Sequence, residues 1–353
     1  MAVLLLAVVL DLALGDPPNR FHPVSWMGSL IAAGRRGADR LPSRFLVTYG
    51  VALIAGVAIV AYLGSLAVLS VAAWLPWPIS LLAQAWLLKC SFSLRALVSA
   101  VWQVRDALAS GDLAGARAAL GWHLVSRPVV SLDPGATASG AIESLSENLT
   151  DSWVAPLCFY LVGGMPAAWA YRAVNTADAM IGYREGVLEQ LGWATARLDD
   201  LLNLVPSRLA ALLVVAGAWL SGERTAGAWR AWRRDRGATS SPNAGQTMAA
   251  MAGALGVTLE KRGHYRLGDG GPPDVAALDR AIRVFGAAAG ASLVGVLVLL
   301  RVFSCPRGLT LGGGATTGRV ATRHDHRIAR RVNRTSPFRA SNFCGRAKCE
   351  GYH

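Results

Sequence analysis

Charge is scarce in this chain. Only 16% of its 353 residues are Asp, Glu, Lys or Arg, against 53% apolar. That balance excludes an ordinary water-soluble domain and makes the bilayer the first solvent to consider. Cysteine is sparse too. Cys90, Cys158, Cys305, Cys344 and Cys349 are too few and too scattered for a disulfide framework and fit unpaired thiols in a reducing compartment. Cys344, Cys349 and His353 lack the second pair of ligands that a structural zinc needs. No His-Glu-x-x-His helix and no Gly-x-Ser-x-Gly elbow occurs, which removes zinc hydrolysis and serine-triad acyl transfer. Gly313 to Val320 has phosphate-loop glycine spacing, but Arg319 and Val320 stand where Lys and Ser/Thr are required. His123, alone between Trp122 and Leu124, is expected to pack and not to catalyse. Alternation of apolar and polar residues is sustained nowhere, and no repeat of solenoid length is present, so the expected class is all-α.

The formal charge of +13 points to nucleic acid until it is located along the chain. Residues 301–353 hold eleven Lys/Arg against two Asp/Glu, so the rest is nearly balanced and nucleic acid is not an expected partner. The boundary lies near Cys305, where apolar periodicity stops. Residues 1–304 are expected to form one membrane-embedded unit. Residues 305–353 are expected to be a basic tail, disordered or the product of a shifted reading frame.

What is abundant is apolar sequence. Phe45 to Leu88 carries no charge, and a span of the hydrocarbon core needs about 20 residues, so this stretch can cross, turn at Pro76-Trp77-Pro78 and re-enter. Trp153–Tyr171, Pro206–Leu220 and Val284–Leu300 are further apolar segments, and Met1–Leu14, which lacks a signal peptide's basic start and cleavage site, is expected to be retained. Four to five apolar segments result. Asp11 interrupts the first of them, and a carboxylate at membrane depth is a functional candidate by default. Leu94–Leu108 has apolar residues at helical spacing and is expected to be an amphipathic surface helix.

Polar residues cluster at the ends of these segments. Glu143, Glu147 and Asp151, four apart, form one acidic stripe on a helix with Asn148 at its edge; like charges at this spacing repel, so a cation is expected among them. Mg2+, which takes carboxylate oxygens, water and substrate phosphates, fits that demand. Past the next apolar segment, Arg172, Asn175 and Asp178 are helix neighbours. Since a simple span would place them about 30 Å from the stripe, a shared site requires Trp153–Tyr171, with Gly163, Gly164 and Pro166 at its middle, to be a re-entrant hairpin. Asp199, Asp200, Asn203 and Arg208 stand at the mouth of the following segment. Asn243-Ala244-Gly245 forms a turn that opens a small-residue helix, a place where backbone N–H groups can meet phosphate.

These blocks, together with Gly15-Asp16-Pro17, His22-Pro23 and Lys89 to Leu97, occur in the order found in the adenosylcobinamide-phosphate synthases, the cobalamin biosynthesis membrane proteins of the CobD/CbiB type, which this chain resembles over about residues 10–300. It departs from them at Arg127-Pro128, where the family usually has Arg-Asp, and beyond Cys305. The resemblance implies an ATP-dependent amide ligation joining the propionate carboxylate of adenosylcobyric acid to the amine of (R)-1-amino-2-propanol phosphate, with Mg2+. It implies a multi-pass protein of the inner membrane with its site facing the cytoplasm, working beside other proteins of that pathway. In that scheme Glu143, Glu147, Asn148 and Asp151 hold Mg2+, and Lys89, Arg95, Arg172, Arg184, Arg208, Asn243 and Gly245 meet phosphate or substrate. Asn175 and Asp178 position substrate or metal, and Asp199 or Asp200 takes the ammonium proton. Two other readings of the residues remain open: an intramembrane prenyltransferase that binds a diphosphate through Mg2+, and a transporter of organic anions or corrinoids. The latter should show two related halves, and no such duplication is visible.

Overall fold

A computed structural model describes residues 1–183 and 185–304; the basic stretch 305–353 and Arg184 lie outside the described residues. The elements run α1 (Ala2–Leu14), α2 (Pro23–Ala38), α3 (Leu46–Ala72), α4 (Trp77–Lys89), α5 (Arg95–Ala109), α6 (Leu113–His123), α7 (Pro134–Leu149), α8 (Ala155–Ile181), α9 (Val187–Leu191), α10 (Trp193–Leu202), α11 (Leu204–Leu220), α12 (Thr225–Asp235), α13 (Ala244–Leu255), β1 (Leu259–Lys261), β2 (Tyr265–Leu267) and α14 (Val275–Ser304). The protein is an all-α membrane protein. The described strands form one short antiparallel hairpin, three residues on each side, too brief for alternation to reveal in sequence.

α3 shows why lipid is required. Leu46, Gly50, Ile54, Val57, Ala61 and Ser65 recur every three or four residues and are buried, while Val51, Ile59, Val60, Leu63, Leu66 and Val71 on the remaining faces are exposed. A helix apolar all round, about 40 Å long, has no stable place in water. Trp74, 91% exposed, and Trp77 flank Pro76 where the chain turns into α4, the headgroup position that amphipathic indoles favour. Three runs are long and apolar enough to cross a membrane, Ser43–Ala72, Pro134–Ile181 and Val275–Val302, and α10 with α11, bent by 49°, pass the same test only when taken together, as a broken span or a re-entrant loop. α14 divides lengthwise: Ala277, Leu278, Ala281, Val284 and Phe285 pack inside, and Val294, Val298 and Leu299 further on face outward.

The run Pro134–Ile181 is not one rod. α8 is interrupted at Gly163 (φ −135°, ψ 19°) and Gly164 (φ 66°, ψ −161°), a backbone pair that reverses the chain. The second conformation is open essentially to glycine alone. Phe159 consequently stacks on Tyr171 with ring centroids 4.8 Å apart, and Tyr171 Oη lies 3.5 Å from the Asp151 carbonyl, although a straight helix would separate those two residues by about 30 Å. The outgoing arm, Ala155 to the exposed Val162, reaches only about 12 Å, short of the roughly 30 Å hydrocarbon core. The segment is a helical hairpin, with the stripe and Asn175 at its open end.

α7 joins that hairpin through a π-helical turn, Thr150–Val154, a form of helix concentrated at functional positions. Trp153 anchors the turn: its indole N–H donates to Ser292 Oγ on α14 at 2.6 Å, and its ring meets Phe92 edge-on.

Candidate active site

Among the described residues, five acids gather around a cavity of about 180 Å3 at the open end of the hairpin, lined by Glu147 and Asp151 from α7 and the π turn, Asp178 from α8, Asp199 and Asp200 from α10, Asn203, and Ser241, Asn243 and Ala244 with Thr247 of α13. Helical spacing aims Glu147 and Asp151 to one side, and the Gly163–Gly164 reversal returns Asp178 to them. α10 adds two consecutive aspartates.

Protein donors reach only part of this wall. Asn203 Nδ2 donates to Asp199 Oδ2 at 3.0 Å, Asn175 Nδ2 to Asp199 Oδ1 at 3.4 Å, and Ser241 Oγ to Asp200 Oδ1 at 2.9 Å. Tyr171 Oη donates to Asn203 Oδ1, fixing the orientation of that amide. Among the described residues none of the five carboxylates takes part in an ion pair. Arg172 is one nearby cation. Its Nη1 donates to Asn175 Oδ1 at 3.1 Å and to the Asp151 carbonyl at 3.4 Å, and its buried Nε has no protein partner. The hydroxyls of Thr150 and Thr247, both lining the cavity, are buried and unpartnered as well. Five carboxylates without counterions and two orphaned hydroxyls are a donor set for a hard cation with its water and phosphate ligands. No three His, Cys, Asp or Glu side chains among the described residues converge as a ready-made cage.

The structure sorts the other sequence-selected residues into three places. Glu143 faces away from the acidic cavity: Ser139 Oγ donates to its Oε1 at 2.7 Å, while Tyr265 Oη and Arg127 Nη2 donate to its Oε2 at 2.9 and 3.1 Å. Asn148 is occupied within its own helix and the π turn, donating to Ser144 and accepting from Ser152 Oγ. Asn243 lines the cavity, accepting from Ser207 Oγ and Arg208 Nη1 while its Nδ2 donates to the Asp200 carbonyl, so Arg208 points toward that amide and the Leu204 carbonyl. The Gly245 amide donates to Thr239 Oγ1 at 3.0 Å, and a Cβ there would lie 2.5 Å from the Arg236 carbonyl oxygen, which accounts for the glycine. Arg184 lies outside the described residues.

Lys89 and Arg95 belong to a separate junction. The buried Lys89 ammonium bonds Asp16 and lies 3.5 Å from Asp11, whose other oxygen accepts the Leu94 and Arg95 amides at 3.1 Å each and so caps α5. Arg95 donates to the carbonyls of Leu12 and Ala13 at the end of α1. Burial alone would push the Asp16 carboxyl up, but contacts with His22, Lys89 and Ser93 outweigh it and hold it below the ordinary 3.8. Neither Lys89 nor Arg95 lines the acidic cavity.

Glu147 also borders a second cavity, formed by Leu124 to Arg127, Gly140, Glu143, Ser144, Lys261 and Tyr265. Sequence alone does not single out Lys261. The signal it lacked is the hairpin register, which pairs Lys261 directly with Tyr265.

The family model described as CobD/Cbib protein matches residues 4–285. A probable cobalamin biosynthesis protein CobD of Methanothermobacter thermautotrophicus is 44% identical over 271 residues, covering 76% of this chain and 87% of that protein. The cobalamin biosynthesis proteins CobD of Dehalococcoides mccartyi and Klebsiella pneumoniae are 39% and 38% identical, over 76% and 72% of this chain and 87% and 80% of theirs. No solved structure matches the chain.

Proposed function

This chain belongs to the CobD/CbiB family, and on that premise we propose that it is a membrane enzyme of cobalamin biosynthesis that ligates adenosylcobyric acid to (R)-1-amino-2-propanol phosphate at the expense of ATP, giving adenosylcobinamide phosphate. The observation that carries this reading is the acidic cavity, whose five carboxylates have no ion-pair partner among the described residues. Such a wall repels a bare nucleotide and accepts one that arrives with a divalent cation.

In the proposed reaction a propionate oxygen attacks the γ-phosphorus of ATP and ADP leaves. The amine then attacks the acyl phosphate carbon, forming the amide, and inorganic phosphate departs with the bonding pair. Glu147 and Asp151 are the residues to hold Mg2+, with Thr150 and Thr247 beside them. Bound there, Mg2+ would draw charge off the phosphate oxygens, without which a carboxylate is a poor nucleophile toward ATP. Arg172, with its Nε unspent, is placed to meet a phosphate oxygen. Asp199 is held by two amides and Asp200 by Ser241, a fixed geometry suited to taking the ammonium proton before attack. Asp178 and Asn175 orient this wall, with the site opening to the cytoplasm from the inner membrane.

The test is direct. Purified protein incubated with adenosylcobyric acid, aminopropanol phosphate and Mg-ATP should yield the amide, identified by mass, with stoichiometric ADP. AMP and diphosphate in its place would move the intermediate to an acyl adenylate, and absence of product in a folded preparation would refute the assignment.

A further inference from the structure

The second cavity differs from the first in holding cations, Arg127 and Lys261, beside the carboxylates Glu143 and Glu147, and the two cavities meet at Glu147. Its cations come from two distant parts of the chain. Arg127 arrives on the loop between α6 and α7, and Lys261 with Tyr265 on the β1–β2 hairpin, where antiparallel pairing sets them side by side. That hairpin is docked on α7, since the Glu260 amide donates to Ser139 Oγ at 3.0 Å.

Glu143, the buried carboxylate in this wall, is already neutralised. Arg127 pairs with it through Nη2, and Ser139 and Tyr265 complete its hydrogen bonds. Burial and the adjacent Glu143 push the Tyr265 phenol up, so it remains a donor. The Lys261 ammonium lies near enough to Glu147 for its charge to act there but forms no ion pair among the described residues, and the remaining guanidinium N–H groups of Arg127 are uncommitted among them. Ser126 and Ser144 add hydroxyls to the rim. Tyr183, next to Gly182 of the acidic cavity, bonds Ser126 Oγ at 3.1 Å, so the two cavities share a wall as well as Glu147.

A bare anion in this space would face Glu147, and a bare cation would face Lys261 and Arg127. A small zwitterion satisfies both ends. We propose that the cavity of Arg127, Lys261 and Tyr265 seats the phosphate of an amino-alkyl phosphate, with the ammonium end turned past Glu147 into the acidic cavity, where Asp199 and Asp200 stand to take its proton. The inference rests on the ligation reading for the identity of that substrate, but the socket is built from residues outside the proposed nucleotide wall. It places the amine where the activated carboxyl must come, and makes Lys261 a specificity-determining residue for the phosphorylated substrate. A guanidinium and an ammonium converging on one phosphate is the arrangement that recognises this group by charge-assisted hydrogen bonds.

The experiment measures binding and turnover on the same full-length protein in detergent. Binding of 1-amino-2-propanol phosphate is followed by calorimetry for wild type, Lys261→Met and Lys261→Arg, with inorganic phosphate as a second probe. The expected result is at least a tenfold weaker Kd in Lys261→Met, recovery toward wild type in Lys261→Arg, and weaker binding of inorganic phosphate than of the amino phosphate to wild type. In turnover, Lys261→Met should raise KM for the amino phosphate while leaving KM for ATP in place. Equal affinity of wild type and Lys261→Met for the amino phosphate overturns the proposal. So does a loss that Lys261→Arg shares in full, because the site would then depend on local structure and not on charge. The two readings fail separately. Lys261-dependent binding without amide formation sinks the ligation and leaves the socket, whereas amide formation with an unchanged KM in Lys261→Met sinks the socket and leaves the ligation.

Discussion

Two groups of acidic side chains lie within this helical body and are treated in opposite ways. At the junction of α1, α4 and α5, Asp11 and Asp16 are matched by Lys89, by the Leu94 and Arg95 amides, by Ser93 and by His22. At the open end of the α8 hairpin, Glu147, Asp151, Asp178, Asp199 and Asp200 share a cavity with amides and hydroxyls but no ion-pair partner among the described residues. The first group is closed on itself and holds three helices together. The second sets acids side by side with no cation paired to them among the described residues, the arrangement on which the proposed cation site rests. Both were visible in sequence as acids near apolar segments; what distinguishes them is where the cations went.

That contrast can be broken or sharpened experimentally, beginning with the junction. Lys89→Met leaves Asp11 and Asp16 without their buried counterion and should destabilise the fold by about 3–5 kcal/mol, read as loss of folded protein on thermal unfolding in detergent. A stability equal to wild type would mean that the junction does not need its cation. In the cavity the same kind of change should act on chemistry instead. Glu147→Gln keeps length and helix propensity and removes the charge, so ligation should fall by about 100-fold or more while the unfolding midpoint stays within error. Near-normal turnover at limiting Mg2+ would show that Glu147 holds no metal.

The hairpin that unites the cavity should be intermediate in its sensitivity. Gly164→Ala places a Cβ at φ 66°, ψ −161° and should cost about 1–3 kcal/mol. Cysteines at Asn148 and Thr176, both half-buried, should label from the same side of the membrane in an otherwise wild-type chain; labelling from opposite sides would separate the two halves of the site. The smallest effect is one of pH. Asp16 is held below its ordinary value, so the stability it contributes is fully present above about pH 4 and is lost as pH falls toward its folded pKa. Asp16→Asn should flatten that acid limb, and an unchanged limb would place the acid sensitivity elsewhere.

Much of this was legible in the residues. Composition named the bilayer, the charge-free run Phe45–Leu88 foretold α3, the turn at Pro76 and α4, and the two glycines with Pro166 foretold the reversal in α8. Spacing alone could not assign partners. Glu143 and Glu147 belong to one stripe, one turn apart, yet Glu143 turns to Arg127 and Tyr265 because those residues arrive from other elements, and nothing local announces their approach. Lys89 and Arg95 look like substrate-binding cations when read singly, but their carboxylate and carbonyl partners lie more than seventy positions earlier in the chain. The β1–β2 hairpin stayed hidden because three residues are too few to show a period.

The claim that the hairpin's acidic cavity awaits a cation, while the α1–α4–α5 junction does not, is tested most directly by metal binding. Mn2+, which reports its coordination by electron paramagnetic resonance, can stand in for Mg2+ and be titrated into purified full-length protein with ATP present. The account predicts a bound Mn2+ in wild type whose affinity falls at least tenfold in Glu147→Gln and is unchanged in folded Asp16→Asn. Equal Mn2+ affinity in wild type and Glu147→Gln would contradict it.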